Sequence, residues 1–192
     1  MQLKSQLRKE IRDKRKNILN KSLTDEQIID LLLSSTYYKN AKTVLCYASL
    51  DDEISTDKII AKSLSDGKNL ALPYCKDNMG NMDFYLIKSF DDLQVGSFNV
   101  REPNIIKCDK LVDFTDSIII VPAMCFDKKG YRLGYGKGYY DRFLQNYSFI
   151  SIGLCYNTFV KSKIPIDEYD QSVDYIITQS KIIDCNSGEE NG

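Results

Sequence analysis

The spacing of apolar residues predicts helices alternating with short strands. Leu3, Leu7, Ile11 and Ile18 recur at helical spacing among charges, which predicts an amphipathic helix over residues 2–19. A second helix is expected from Thr24, where "TDEQ" has the form of a capping box with Gln27 as partner and Ile28 to Leu33 as apolar body. "TVLCYA" (43–48) is a short run of strand formers and reads as a buried strand. "STDKIIAKSLSDG" (55–67) carries a Ser/Thr cap, an apolar stripe of Ile59, Ile60 and Leu64, and Gly67 as a stop. "NLALPY" (69–74) is the next strand. Strand, capped helix and strand form a βαβ unit, which implies a parallel sheet.

"MDFYLI" (82–87) alternates weakly and reads as a strand after the "DNMGN" turn. Residues 88–116 mix polar, Gly and Pro positions, so mostly loop with one short element is expected there. "SIIIVPA" (117–123) is the strongest strand signal, ended by Pro122. A helix start near residue 137, strands over "FISIGLCY" (149–156) and "VDYIIT" (173–178), and a marginal "KIIDC" complete the pattern. The expected fold is one α/β domain over residues 1–192, built on an open, mostly parallel sheet. Residues 1–19 form its basic N-terminal helix and the polar residues 186–192 a frayed tail.

The charge distribution adds a feature that the apolar pattern lacks. Net charge is −1 over 192 residues, which gives no general pull toward nucleic acid. Residues 1–21, however, hold Lys4, Arg8, Lys9, Arg12, Lys14, Arg15, Lys16 and Lys21 against Glu10 and Asp13. Such an arm suits phosphate or another polyanion; a solvated helix face has the same composition. No apolar run of signal-peptide length follows these residues, and none approaches the ~18 residues of a membrane span. The six cysteines (46, 75, 108, 125, 155, 185) include no C-x-x-C pair and read as reduced thiols in a cytoplasmic protein. Histidine is absent, which excludes Ser-His-Asp and Cys-His catalysis and His-metal sites. A metal here would be a hard cation such as Mg²⁺ on carboxylates.

The candidate chemistry sits in "RLGYGKGYYD" (132–141), between a strong strand and a helix start. Ligands of open parallel sheets lie beyond the carboxyl ends of the strands. There a helix N-terminus offers unpaired N–H groups, and glycines let backbone approach a phosphate. Lys137 and Arg132 add charge, Tyr135, Tyr139 and Tyr140 add aromatic surface, and Asp141 is placed to hold Mg²⁺. The spacing matches neither the dinucleotide fingerprint nor a Walker A loop. A Gly-rich turn with tyrosines packed on the core has the same sequence.

The longer stretch "VPAMCFDKKGYRLGYGKGYYDRFL" (121–144) resembles the signature of the 5-formyltetrahydrofolate cyclo-ligases, or methenyltetrahydrofolate synthetases. "KSQLRKEIRDKR" is similar to that family's opening K-x-x-L-R helix, "DDEISTDKII" to its acidic segment, and "IPIDEYDQSVDYIIT" to its closing segment. The resemblance implies a three-layer α/β/α domain that closes the ring of 5-formyltetrahydrofolate, with ATP as co-substrate and Mg²⁺ present. It implies ATP contacts at Lys4, Ser5, Gln6, Leu7 and Arg8, and along Arg132, Leu133, Gly134, Tyr135, Gly136, Lys137, Gly138, Tyr139 and Tyr140. Lys137 and Arg132 are the implied catalytic residues. Folate contacts are implied at Ala48 and Glu53 and along Tyr135, Gly136, Lys137, Gly138 and Tyr139, and Mg²⁺ ligands at Asp141 and Asp174, with Asp127 a nearby competitor. Lys14, Arg15 and Lys16 are read as surface. Tyr135 stands where some members carry Arg, and Tyr169 where many carry His. The expected partners are these small molecules alone, with no nucleic acid and no membrane, acting on a monomer. A non-catalytic folate or nucleotide binder, and an unrelated sugar-phosphate enzyme on a similar sheet, are the competing readings.

Overall fold

The β-branched run from Ser117 to Val121 is buried along its whole length and forms the central strand of the protein. The computed structural model describes residues 2–96 and 99–187. In chain order its elements are α1 (Gln2–Arg15), α2 (Lys21–Ser34), α3 (Thr36–Asn40), β1 (Thr43–Leu45), α4 (Asp57–Ser65), β2 (Asn69–Cys75) and β3 (Met82–Ile87). Then follow β4 (Leu93–Val95), β5 (Arg101–Pro103), β6 (Ser117–Val121), β7 (Cys125–Asp127), β8 (Arg132–Leu133) and α5 (Tyr139–Asn146). The last elements are β9 (Ile150–Leu154), β10 (Val160–Lys161), β11 (Tyr175–Ile177) and β12 (Ile182–Asp184).

The main sheet has the order β12-β11-β9-β6-β1-β2-β3. Its five inner strands are mutually parallel, and the two edge strands β3 and β12 run antiparallel. This is the open, mostly parallel α/β architecture expected from the strand–helix–strand pattern, in a single domain. Helices α2 and α4 pack on each other, α2 also meets β11, and α4 meets β2. Their apolar stripes, Ile28, Ile29 and Leu32 from α2 and Ile59 and Ile60 from α4, are all buried. Helix α5 is anchored by Phe143, whose ring lies 4.8 Å from Phe84, 4.7 Å from Tyr147 and 5.8 Å from Phe149. All six cysteines are free thiols.

Several boundaries differ from the sequence expectation for local reasons. Helix α1 stops at Arg15 rather than at residue 19. Helix α2 starts at Lys21 behind Asn20, which takes a left-handed conformation (φ 51°), so the "TDEQ" box lies inside the helix instead of capping it. Thr24 instead donates its hydroxyl to the Asn20 carbonyl. At the start of α4, Thr56 gives no side-chain cap. Its hydroxyl donates to the Tyr47 carbonyl at 2.6 Å and accepts from the Ser49 amide, tying the loop after β1 back onto that strand. Residues 88–116 hold more than one short element: a 3-10 turn at Phe90–Asp92 and the β4–β5 hairpin. Residues 97–98 within that hairpin, and the expected tail from residue 188 onward, lie outside the described residues.

The β7–β8 hairpin was not anticipated. Asp127 makes it: Oδ1 accepts from the Lys129 and Tyr131 amides across the turn. β7 also pairs with β10, forming a small second sheet that carries β8 to the edge of the glycine loop.

The second sheet is seated on the main one at Gly153 of β9. A Cβ there would lie 2.3 Å from the ring of Phe126, which is fully buried. Gly153→Ala is therefore expected to cost about 1–3 kcal/mol through overpacking, read as a lower urea midpoint. An unchanged midpoint would show that Phe126 can yield.

Candidate active site

The N-terminal helix divides its charges by helical period. Lys4, Leu7, Arg8, Ile11 and Arg15 fall on one stripe, because residues three and four apart share a face. Ile11 is fully buried, Arg15 is 6% exposed, and Lys4 and Arg8 line a cleft, whereas Leu3 is 68% exposed. Leu3 thus does not belong to the inward stripe on which the apolar pattern placed it. Ser5 and Gln6 are exposed, Leu7 packs on the core, and none of these three lines the cleft.

The cleft has a volume of about 380 Å³ and lies beyond the carboxyl ends of β2 and β6, where Pro73, Cys75 and Pro122 form part of its wall. This is where an open parallel sheet is expected to receive ligands. Residues Arg132 to Asp141 line it continuously. Gly136 (φ 100°) and Gly138 (φ 72°) take left-handed conformations that let the chain turn sharply into α5. Arg8 Nε donates to the Gly134 carbonyl at 2.8 Å, fixing the loop to α1. On the other flank Tyr139 donates to the Asp77 carbonyl, and Arg142 donates to the Lys137 carbonyl at 3.0 Å. The Tyr140 hydroxyl is buried without a partner, and burial pushes that phenol well up.

Arg132 lines the cleft and is paired within the protein. It is 7% exposed, and its guanidinium donates to the Gln171 carbonyl at 2.6 Å and to Asp141 Oδ1 at 2.9 Å. Burial lowers its pKa, with Asp141 opposing that effect. These two bonds tie the cleft wall at Arg132 to Asp141 and to the segment at Gln171. Asp141 Oδ1 also accepts from the Gln171 amide at 3.0 Å. Lys4 holds the same segment from the other side, with Nζ 2.7 Å from Asp167 and 2.5 Å from Asp170. Burial lowers the Lys4 pKa, but the two aspartates outweigh it and the net direction is up.

Asp141 and Asp174 line different hollows. Asp174 sits at the amino end of β11, where its Oδ2 accepts from the Ser151 amide and hydroxyl, each at 2.8 Å. It lines a separate hollow with Ser148, Ser151 and Gln171. Asp127 is committed to its own turn. The carboxylates at the cleft are instead Asp141, Asp167 and Asp170. Among the described residues no three His, Cys, Asp or Glu side chains converge as a metal site. The visible signal for Asp167 and Asp170 was the acidic cluster in "IPIDEYD", which lies nearer the cleft than the Asp before the last parallel strand.

Glu53 and Ala48 lie behind the loop rather than in the cleft wall, at 6% and 3% exposure. Glu53 Oε2 accepts from the Leu50 amide at 2.8 Å and Oε1 from the Tyr135 hydroxyl at 2.7 Å. Burial raises the Glu53 pKa; the Leu50 amide, the Tyr135 hydroxyl and the Arg15 charge oppose that shift. Tyr135 is raised by burial and by the charge and hydrogen bond of Glu53, so its phenol stays protonated. Arg15, read as surface, completes this group. Its Nη2 donates to the carbonyls of Ala123 (2.6 Å) and Met124 (3.1 Å), and its Nη1 to the Asp52 carbonyl and the Tyr135 hydroxyl, both at 3.4 Å. Lys14 and Lys16 do stay exposed, beside Glu10 and Asp13.

Removing Arg15 would leave two buried carbonyls without donors. Arg15→Met is expected to lose about 2–4 kcal/mol of stability in urea unfolding, whereas Lys16→Met stays within about 0.5 kcal/mol. Equal effects of the two substitutions would refute the assignment of Arg15 to the interior.

Known proteins share both sequence and fold. Residues 1–179 match the 5-formyltetrahydrofolate cyclo-ligase family. A 5-formyltetrahydrofolate cyclo-ligase of Haemophilus influenzae is 32% identical, with 88% of this chain and 94% of that protein aligned. One from Saccharomyces cerevisiae is also 32% identical, over 83% of this chain and 85% of its own. The NMR structure of an Aquifex aeolicus 5,10-methenyltetrahydrofolate synthetase superposes with a TM-score of 0.84 at 32% identity, covering 99% of this chain and 96% of that one. With sequence and fold both matched over nearly the whole chain, the chain belongs to the 5-formyltetrahydrofolate cyclo-ligase family.

Proposed function

We propose that the protein converts 5-formyltetrahydrofolate to 5,10-methenyltetrahydrofolate at this cleft, with ATP hydrolysed to ADP and phosphate. The observation that carries the reading is the convergence of Lys4, Arg8 and the glycine loop with Lys137 beyond the carboxyl ends of the strands, with a buried acid behind the loop. The formyl oxygen attacks the γ-phosphorus, the bond to ADP breaks, and an iminium phosphate forms. N10 then attacks the activated carbon, loses its proton, and phosphate departs as the ring closes. Every nucleophile belongs to the substrate, so a chain without histidine is adequate.

The side chains bind, orient and neutralise. Lys137, with Lys4 and Arg8, offers charge to the phosphates, and the loop backbone and the start of α5 offer N–H donors. Arg132 orients Asp141 and the segment at Gln171. Glu53 accepts hydrogen bonds from the amino and ring N–H groups of the pterin. Tyr139 and Tyr140 border both ligands. Asp141 and Asp170 replace the expected Asp141–Asp174 pair as the residues that would hold Mg²⁺. Their oxygens suit a hard cation, and Mg²⁺ on a nucleotide usually takes one or two carboxylates rather than a protein cage. When bound, that ion offsets phosphate charge. The protein is proposed to act as a monomer in the cytoplasm.

Lys137→Ala is expected to lower turnover by about a hundredfold or more, because charge at a transferring phosphoryl group carries several kcal/mol. The check is methenyl absorbance together with ADP release; near-normal rates would remove Lys137 from the chemistry.

Glu53 gives a pH signature. Its pKa is raised by burial, so as pH falls it is neutralised earlier than an ordinary glutamate at about 4.3. The neutral acid accepts poorly from two N–H donors, so the folate KM is expected to rise on the acid side, starting above that ordinary range. Glu53→Gln should bind folate weakly at all pH values and lack this limb. A limb that persists in the Gln variant would assign the titration to another group.

A further inference from the structure

The acid that should receive the pterin is already occupied. Glu53 is 6% exposed, and its two oxygens accept from the Leu50 amide and the Tyr135 hydroxyl. The direction of the second bond is fixed: Arg15 can only donate to the Tyr135 oxygen, and the carboxylate can only accept. The single phenolic proton therefore goes to Glu53. A ligand with N–H donors must displace one of these partners before it can reach the acid.

The surroundings determine which partner moves. The loop carrying Leu50 is pinned at its far end: the Ser55 amide donates to buried Asp25, which also accepts from Tyr156 and Lys21. Thr56 binds the same loop to Tyr47 and Ser49. Arg15 is held by the Ala123 and Met124 carbonyls. The backbone around Tyr135 is held as well, by Arg8 at the Gly134 carbonyl and by Arg142 at the Lys137 carbonyl, but Tyr135 itself is 42% exposed, so its side chain can leave the acid without unpacking the core.

We propose that Tyr135 is a positioning residue that latches the glycine loop onto Glu53 in the ligand-free protein, and that the N–H edge of the incoming pterin displaces it. The inference rests on the folate reading of the site. Occupation of the acid is thereby coupled to the loop that carries Lys137, two residues further on. A merely structural tyrosine would leave substrate affinity unchanged or lower it on truncation; a latch raises it, because the substrate no longer competes with the hydroxyl.

Tyr135→Phe tests this while keeping the ring. In hydrogen exchange without ligands, amides 134–138 of the variant are expected to exchange about tenfold faster than in the wild type. In titrations without nucleotide, the variant is expected to bind 5-formyltetrahydrofolate about tenfold more tightly. Unchanged exchange overturns the latch, and unchanged or weaker folate binding overturns the displacement. Faster exchange, with no folate binding by either protein, upholds the latch and rejects the folate reading of Glu53.

Discussion

A buried guanidinium is the contact on which the site is assembled. Arg15 leaves water at a cost of several kcal/mol unless its donors are satisfied. The bonds of its two terminal nitrogens draw together four segments distant in sequence: the end of α1, the loop carrying Asp52 and Glu53, the turn at Ala123 and Met124, and the glycine loop at Tyr135. Its Nε has no partner among the described residues. The carbonyls of Ala123 and Met124 follow the end of β6, so the helix is fixed to the central strand. Glu53 supplies the opposing charge nearby. The Phe159 ring, 5.9 Å from the guanidinium carbon, adds a weaker contact. Arg8, bonded to the Gly134 carbonyl, adds a second tie between α1 and the same loop.

The same economy explains three ion pairs at the cleft, Arg132–Asp141, Lys4–Asp167 and Lys4–Asp170. Arg132 and Asp141 are covalently close to the loop, yet both reach outward to Gln171. Lys4 reaches the same segment through Asp167 and Asp170. The turn at 167–171 therefore closes one side of the cleft through contacts at both ends, while its tip residue Tyr169 stays 68% exposed. A side chain at that tip has little to do with the wall.

The strands and the crossover helix were legible because their signals are local. Ile118 to Val121, Leu70 to Leu72 and the Ile59–Ile60 stripe need only one element to be recognised. The glycine loop that lines the cleft was legible for the same reason, since glycines at fixed spacing mark where the backbone turns. Arg15 was not legible by composition, because seven other cations surround it in sequence. Its position four residues beyond Ile11 was the available sign, and reading the helical face with charges included would have exposed it. The β7–β8 hairpin was hidden because its turn, "DKKGY", is made by a carboxylate binding backbone rather than by an apolar alternation. Asp174 lies at the amino end of its strand, because proximity to a strand in sequence says nothing of which end a side chain occupies.

That last point decides how charge at the cleft should be counted. Lys4, Arg8, Arg132 and Lys137 line it, and so do Asp141, Asp167 and Asp170. Four cations against three carboxylates make a nearly balanced site, not the strongly positive one that the basic N-terminus suggested. Such a balance orders the walls in the absence of ligand, because Lys4 and Arg132 each have a carboxylate to hold. Any polyanion entering the cleft would meet the three carboxylates as well as the cations, so the cations alone do not set the charge that the cleft presents.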